Sequence, residues 1–159
     1  MLSMEVNRSL FFEDFYIGQV IQTGRHTLSE TEIIEFGLKY APVPYHTDPV
    51  AARDSSFGGL VAAGYQTAAL TFGLFAKTGA LAESGMGSPG VDKLRWKRPV
   101  KAGDTLYVQA NVIELSPSQK EGGRDGVRIR YDTFNQNEEI VMTLTSLHFV
   151  RRQASKQDR

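Results

Sequence analysis

One uncharged stretch decides the fold of this chain: Phe57-Gly-Gly-Leu-Val-Ala-Ala-Gly-Tyr-Gln-Thr-Ala-Ala-Leu-Thr-Phe-Gly-Leu-Phe-Ala76. Its 20 residues carry no charge, and about 20 apolar residues are enough to cross a bilayer. Four glycines, two threonines and Gln66 lower its hydropathy, however, and a glutamine side chain is costly in lipid. A helix that is apolar all round in a globular protein is a buried helix. We therefore predict a core helix here and no membrane segment.

After Ser84 the apolar pattern changes to a period of two, which predicts β-strands. Apolar and polar residues alternate over 104–113 and again over 127–132. Between Ile140 and Phe149 both faces begin apolar, so we expect this strand to be partly buried on both sides. Polar, glycine-rich segments at 116–126 and 135–137 are typical hairpin connections. Together with the basic segment at 93–101, these runs predict four consecutive antiparallel strands.

Two shorter helices are predicted before the core helix. Ser29-Glu-Thr-Glu32 has the capping-box pattern of a helix start, and Pro42 should end that helix by Ala41. Asp48-Pro49 is typical of a second start, with Asp48 as the N-cap. With one or two strands at the beginning, the chain is predicted to have an α+β fold in which a curved antiparallel sheet wraps the long helix.

Length, charge and composition limit the classes of function. The 159 residues predict one domain over 1–159, with its core at about 10–150 and a frayed tail at 151–159. Lysine and arginine number 18, as do aspartate and glutamate, so no net field attracts nucleic acid or an anionic membrane. The chain has no cysteine and no secretory signal pattern at its start. We expect a cytoplasmic protein without metal or cofactor.

His46 is the candidate catalytic side chain among three histidines. His26 and His148 lie in predicted strands, where a packing role is the better interpretation. His46 lies in Pro42-Val-Pro-Tyr-His-Thr-Asp-Pro49, a predicted loop whose prolines stiffen the backbone and fix the direction of the imidazole. The alternative is a histidine that only bonds Asp48 or a nearby carbonyl.

The glycines of 57–64 are the second candidate feature. Gly59 and Gly64 precede and open the predicted core helix, where a ligand can approach backbone N–H groups and the helix dipole favours negative charge. An oxygen that gains negative charge during a reaction would be stabilised there. The alternative is close packing of the helix on the sheet.

Five basic residues fall within the nine of 93–101. In a strand, Lys93, Arg95 and Lys97 would share a face that could bind phosphates of a nucleic acid or of coenzyme A. The alternative is a solvated strand face. Because the net charge is zero, nucleic acid is the weakest option, and Arg95 and Lys97 are kept as candidate substrate-binding residues.

Residues 36–49, 57–64 and 94–104, in this order and spacing, resemble the MaoC-like acyl dehydratases, which include the (R)-specific enoyl-CoA hydratases. The likeness extends over about 10–150. It implies the hot-dog fold, a homodimer or larger homo-oligomer with sites at the subunit interface, and a lyase of fatty acid metabolism. The substrate it implies is an acyl-CoA or acyl-carrier thioester.

The resemblance also implies roles for individual residues. In the family, an aspartate and a histidine five residues later activate a water, which adds to the β-carbon of a trans-2-enoyl thioester. The glycine that begins the core helix offers its N–H to the thioester oxygen. His46 and Gly64 match the histidine and the glycine, but Ala41 stands at the aspartate position and Val43 at the family's asparagine position.

Three hypotheses of function follow. The first is a hydratase or dehydratase in which His46 is the sole base and Gly64 the oxyanion donor. The second, favoured by Ala41, is a non-catalytic subunit that binds an acyl thioester or assembles with an active relative. The third is a hot-dog thioesterase, for which Asp54 is the only acid near the core helix. Glu35 is inside a predicted helix and Asp48 is a predicted cap, so neither replaces the aspartate.

Overall fold

In the computed structural model, which describes residues 8–120 and 122–154, the strands pair only in antiparallel fashion. The strands are β1 (Val20–Gln22), β2 (His26–Thr27), β3 (Val91–Trp96), β4 (Thr105–Ser116), β5 (Asp125–Phe134) and β6 (Ile140–Val150). Their order across the sheet is β1-β4-β5-β6-β3, and β2 pairs with the beginning of β4. The helices are α1 (Glu30–Tyr40), α2 (Pro44–Thr47) and α3 (Gly64–Ala76), with 3-10 turns at Phe12–Asp14 and Ala51–Asp54.

The core forms where α3 packs on one face of the sheet. The predicted alternation in β4 is confirmed, since its inward residues are almost completely buried: Leu106, Val108, Ala110 and Val112. From α3, Phe75 meets Tyr131 of β5 edge to face, with ring centroids 5.1 Å apart. Such aromatic pairs add specific geometry to the burial of apolar area. The predicted α+β architecture is therefore confirmed.

The core helix begins where predicted and is covered on one side only. It begins at Gly64, and residues 57–63 form a turn and an extended approach to it. Its outer face is open: Tyr65 is 70% exposed and Phe72 is 51% exposed. The prediction of a core helix is therefore confirmed for the side of α3 that the sheet covers, and the other side is exposed. No helix in the described part of the chain is long and apolar enough to cross a membrane.

The predicted start and end of α1 are confirmed. The N–H of Glu32 donates to Ser29 Oγ at 3.2 Å, and the N–H of Ser29 donates to the Glu32 carboxylate at 2.7 Å. This reciprocal pair satisfies two backbone donors at the helix start. The helix ends at Tyr40 with Ala41 as its C-cap, because Pro42 disfavours helical geometry in the residue before it.

The segment after α1 departs from the prediction in two places. His46 lies in the single helical turn α2 and not in a loop, since Pro44 at the first helical position has the fixed φ that suits a helix start. Asp48 does act as a cap: its Oδ1 accepts the N–H groups two and three residues later, at 2.8 and 3.0 Å. Only the 3-10 turn Ala51–Asp54 follows, however, because the serines and glycines of 55–59 favour turns.

The four strands predicted after Ser84 are present, but β3 pairs with β6 at the sheet edge and not with β4. Lys93 has a φ of 52°, and the pairing register shifts between Asp92 and Arg95. Lys97 follows the last residue of the strand. An extra residue in a bulge breaks the alternation of faces, so the prediction that Lys93, Arg95 and Lys97 share a strand face is wrong.

The predicted tail begins later than expected. Arg151 donates its N–H to the Ser84 carbonyl at 2.8 Å, and Arg152 bonds the buried Asp125 carboxylate at 2.7 and 3.0 Å. The neighbouring guanidinium holds the pKa of Asp125 below its ordinary value. Residues 151–152 are therefore part of the fold, whereas 155–159 lie outside the described residues.

The capping box gives a first testable prediction. Ser29→Ala removes the acceptor of the Glu32 N–H, and we expect the free energy of unfolding to fall by about 1 kcal/mol in urea denaturation. Thr31→Ala is the matched control, because Thr31 is exposed on the same first turn. Equal effects of the two substitutions would contradict a capping role.

Candidate functional site

A close contact between α1 and α2 places His46. A Cβ atom on Gly37 would lie 2.5 Å from the backbone oxygen of His46 and 3.1 Å from its Cβ. Only glycine therefore lets α1 approach the turn that carries the imidazole so closely. The edge of the Tyr45 ring contacts the His46 ring, with centroids 4.6 Å apart. Helix packing and an aromatic neighbour together fix where the imidazole lies.

The hydrogen bond of His46 defines its tautomer. Its Nδ1 lies 2.6 Å from the carbonyl oxygen of Val61. A carbonyl can only accept, so Nδ1 carries the proton and the neutral ring keeps a lone pair on Nε2. Across 8–120 and 122–154, no side chain or backbone group bonds Nε2. His46 thus presents a free base to its surroundings.

The first residue of α3 supplies a free donor. The N-cap Ala63 has an extended backbone and no capping side chain. Its carbonyl accepts the N–H groups of Gln66 and Thr67, while the N–H of Gly64 has no acceptor among the described residues. The start of a 13-residue helix also carries positive partial charge. This N–H can therefore stabilise an oxygen that becomes negative.

Trp96 covers Gly64 from the side of β3. The indole Nε1–H donates to the Gly64 carbonyl at 2.8 Å. A Cβ on Gly64 would overlap the indole ring. Close packing, the alternative considered for this glycine, is thus confirmed, and it coexists with the free N–H of the same residue.

One cavity of about 560 Å³ brings the predicted site together. Ala41, His46 and Gly64 all line it, as the resemblance implies for their positions. No carboxylate is found among its lining residues in the described part of the chain, whereas Lys97 and Arg98 both line it. The site therefore combines a base, a free N–H and positive charge.

Other candidate residues lie away from this cavity. Gly59 and Arg95 are not among its lining residues, and the Arg95 guanidinium donates to the Leu94 carbonyl at 2.7 Å. Neither Asp48 nor Asp54 lines it. Within the described residues, no three histidine or carboxylate side chains lie close enough to hold a metal ion.

A second cavity, which the sequence did not predict, opens beside the first. It has a volume of about 680 Å³ and lies between α3, β6 and the segment 81–91. Its lining is mainly apolar, and Tyr65 lines both cavities. Ala68 and Phe72 line it one and two turns further along α3. The helical spacing of residues 65, 68 and 72 is the signal in the sequence from which this cavity wall could have been predicted.

His148 of β6 lies in this second cavity with Tyr131 of β5. The Tyr131 hydroxyl and His148 Nε2 are 2.7 Å apart, and both side chains are buried. Burial lowers the pKa of His148 to about 4 and raises the pKa of Tyr131. Both groups are therefore neutral near pH 7. His148 has the packing role predicted for it, and it also forms this hydrogen bond, which packing alone does not explain.

The chain is similar to several known proteins. The family model for the MaoC like domain matches residues 14–130. Protein MaoC from Klebsiella aerogenes is 35% identical over 100 residues, which cover 62% of this chain and 29% of that protein. Uncharacterized protein YdeM from Bacillus subtilis is 28% identical over 126 residues, or 79% of this chain and 88% of YdeM.

Solved structures agree with these sequence matches. A MaoC-like dehydratase from Rhodospirillum rubrum superposes with a TM-score of 0.86 at 36% identity, covering 92% of this chain and all of that one. The R-hydratase PhaJ1 from Pseudomonas aeruginosa gives a TM-score of 0.76 at 23% identity over 91% of this chain and 88% of its own. The latter shows the likeness in fold alone. The hot-dog fold predicted from the sequence is confirmed.

The contact between Gly37 and His46 can be tested without an activity assay. Gly37→Ala should force α1 and α2 apart, at a cost of about 1–3 kcal/mol in the free energy of unfolding. The nitrogen chemical shifts of the His46 ring should change as the bond to Val61 lengthens. Gly73→Ala is the control, because a Cβ there meets open space, and it should stabilise α3 by about 0.5–1 kcal/mol. An unchanged His46 spectrum in Gly37→Ala would contradict this account.

Proposed function

Because the chain belongs to the MaoC-like domain family, we propose that it hydrates 2-enoyl thioesters or dehydrates the corresponding 3-hydroxyacyl thioesters as a hydro-lyase. One observation carries the proposal: the free Nε2 of His46 and the free N–H of Gly64 border the same cavity. A base and an oxyanion donor are the two groups that addition of water to an enoyl thioester needs.

In the hydration direction, His46 Nε2 takes a proton from water while the water oxygen bonds to the β-carbon of the substrate. The electrons of the C=C bond move towards the thioester, whose oxygen becomes negative and accepts the Gly64 N–H. The imidazolium then returns a proton to the α-carbon, and the thioester carbonyl re-forms. One water is added and no other reactant is consumed. Dehydration follows the same steps in reverse.

We propose a substrate carried on coenzyme A or on an acyl carrier. Lys97 and Arg98 give the cavity positive charge that suits its phosphates, although Arg98 also pairs with Glu139 at 3.5 Å. The neighbouring apolar cavity suits the acyl chain, since Tyr65 borders both spaces. Substrate binding by Gly59 and Arg95 stays a prediction.

Ala41 supports a second candidate function, a subunit that binds an acyl thioester without converting it. The cavity wall that would hold the second acid/base group carries only a methyl group. Loss of such a group costs about 10²–10⁴-fold in rate. Asp54 does not line the cavity, so the thioesterase hypothesis gains no support.

Restoring a carboxylate separates the two candidates. We expect Ala41→Asp to raise the rate of crotonyl-CoA hydration by about 10-fold or more, followed through the loss of enoyl absorbance. Ala41→Asn is the matched control, because it has nearly the same shape but supplies no base. A folded Ala41→Asp protein that gains nothing over Ala41→Asn would favour the binding subunit.

Removing the base tests the site itself. His46→Ala should abolish hydration and preserve the circular dichroism spectrum, because a half-buried imidazole on a single turn contributes little to the core. His26→Ala should keep the activity, since His26 lies outside the cavity. Full activity in His46→Ala would show that another residue acts as the base.

We further propose that the chain forms a homo-oligomer, at least a dimer. Val91 and Trp96 on the edge strand β3 are 56% and 47% exposed, next to the open face of α3 with Tyr65 and Phe72. Contiguous exposed apolar residues of this kind mark interaction surfaces.

Sedimentation equilibrium at micromolar concentration should give a multiple of 17.6 kDa. Val91→Asp should shift the equilibrium towards the monomer, because it buries a charge at the proposed interface. Ile17→Asp, at a 66% exposed position near the opposite sheet edge, should not. A purely monomeric native protein would contradict the proposal.

A further inference from the structure

The apolar second cavity contains one buried polar pair that the proposed chemistry does not use. Tyr131 is 1% exposed and His148 is 5% exposed, and they bond each other at 2.7 Å. The ring of Phe72 stacks on His148, with centroids 6.0 Å apart and planes inclined by 12°. Phe75 contacts both rings of the pair. The imidazole is therefore held in one orientation.

The direction of this hydrogen bond follows from the donors and acceptors available. Tyr131 keeps its proton because burial raises its pKa. Among the described residues, its hydroxyl finds no acceptor except His148 Nε2. Buried O–H groups are almost always paired, so the hydroxyl donates and Nε2 accepts. His148 is neutral, and its single ring proton is therefore on Nδ1.

The Nδ1–H of His148 is a donor without an acceptor in the part of the chain that the structure describes. Other polar groups of the same wall are already satisfied. The Ser146 hydroxyl donates to the Gly90 carbonyl at 3.0 Å, and the Thr71 hydroxyl donates to the Thr67 carbonyl at 2.8 Å. A tail that displaces solvent from this N–H without accepting it leaves a buried donor unpaired, which is unfavourable. A tail with an oxygen at this position accepts the N–H and avoids that cost.

We propose that the second cavity selects an acyl tail that carries a neutral oxygen, a ketone or a hydroxyl, and that His148 determines this specificity by donating its Nδ1–H. The proposal rests on the proposed function for the thioester nature of the ligand. Among the described residues, the lining contains no lysine or arginine, so a carboxylate in the tail would be buried unpaired at high cost. A plain hydrocarbon tail would leave the N–H unsatisfied.

The size of the cavity fits this class of substrate. Ligand pockets of about 300–1,000 Å³ hold molecules of drug-like size, and this cavity has about 680 Å³. A crotonyl group would leave most of that space empty. The favoured substrate is therefore longer, with its oxygen at the depth of His148.

Binding of unreactive ligands tests the proposal apart from catalysis. Saturated acyl-CoAs of equal length, unsubstituted or with one ketone at successive positions along the tail, are titrated into the native protein by calorimetry. One ketone isomer should bind at least about 10-fold more tightly than the hydrocarbon, the worth of one buried hydrogen bond. His148→Phe, which keeps a ring against Phe72, should remove that preference. Ser146→Ala, in the same wall, should keep it.

A double variant tests the proposal even if His148→Phe alone fails to fold. Tyr131→Phe with His148→Phe leaves no buried hydroxyl unpaired and should give the same loss of preference in a stable protein. Equal binding of all the tails, no binding of any, or a preference that survives His148→Phe would overturn the proposal. Ketone-selective binding without hydration of the matching 2-enoyl-CoA would overturn the proposed catalysis and leave the specificity in place.

Discussion

The hydrogen bond from His46 Nδ1 to the Val61 carbonyl is the constraint on which the arrangement of the site depends. It joins the turn after α1 to the extended segment that leads into α3. The same segment is held on both sides, because the Val61 N–H donates to Tyr45 and the Ala62 N–H donates to Val100. One bond therefore sets the tautomer of the neutral imidazole and its position beside the helix start.

Features that depend on local sequence could be predicted. The capping box at Ser29, the end of α1 before Pro42 and the alternation in β4 follow from interactions between residues close in the chain. The pairing of β3 with β6 could not be predicted, since it joins residues about fifty positions apart. The bulge at Lys93 and the exposed side of α3 could not be predicted from the sequence either, because both depend on how the rest of the sheet is arranged.

The site shows the same division. Family likeness pointed to His46, Gly64 and the missing carboxylate at Ala41, and the structure brings these three positions to one cavity. The contact between Gly37 and His46 was not visible, because it depends on how α1 and α2 cross. The pair of Tyr131 and His148 could not be predicted either. Tyr131 pairs with Leu144 in the β5–β6 register, and His148 pairs with Val127, so the two side chains meet diagonally across the sheet and not as direct partners.

The indole of Trp96 over Gly64 has a consequence for how this sequence can change with time. A side chain at residue 64 needs a smaller residue 96, but shortening Trp96 first removes the bond to the Gly64 carbonyl. We expect each single substitution to be harmful alone, so that the two positions form an epistatic pair. Descendants of this protein should therefore keep glycine and tryptophan together or replace both together.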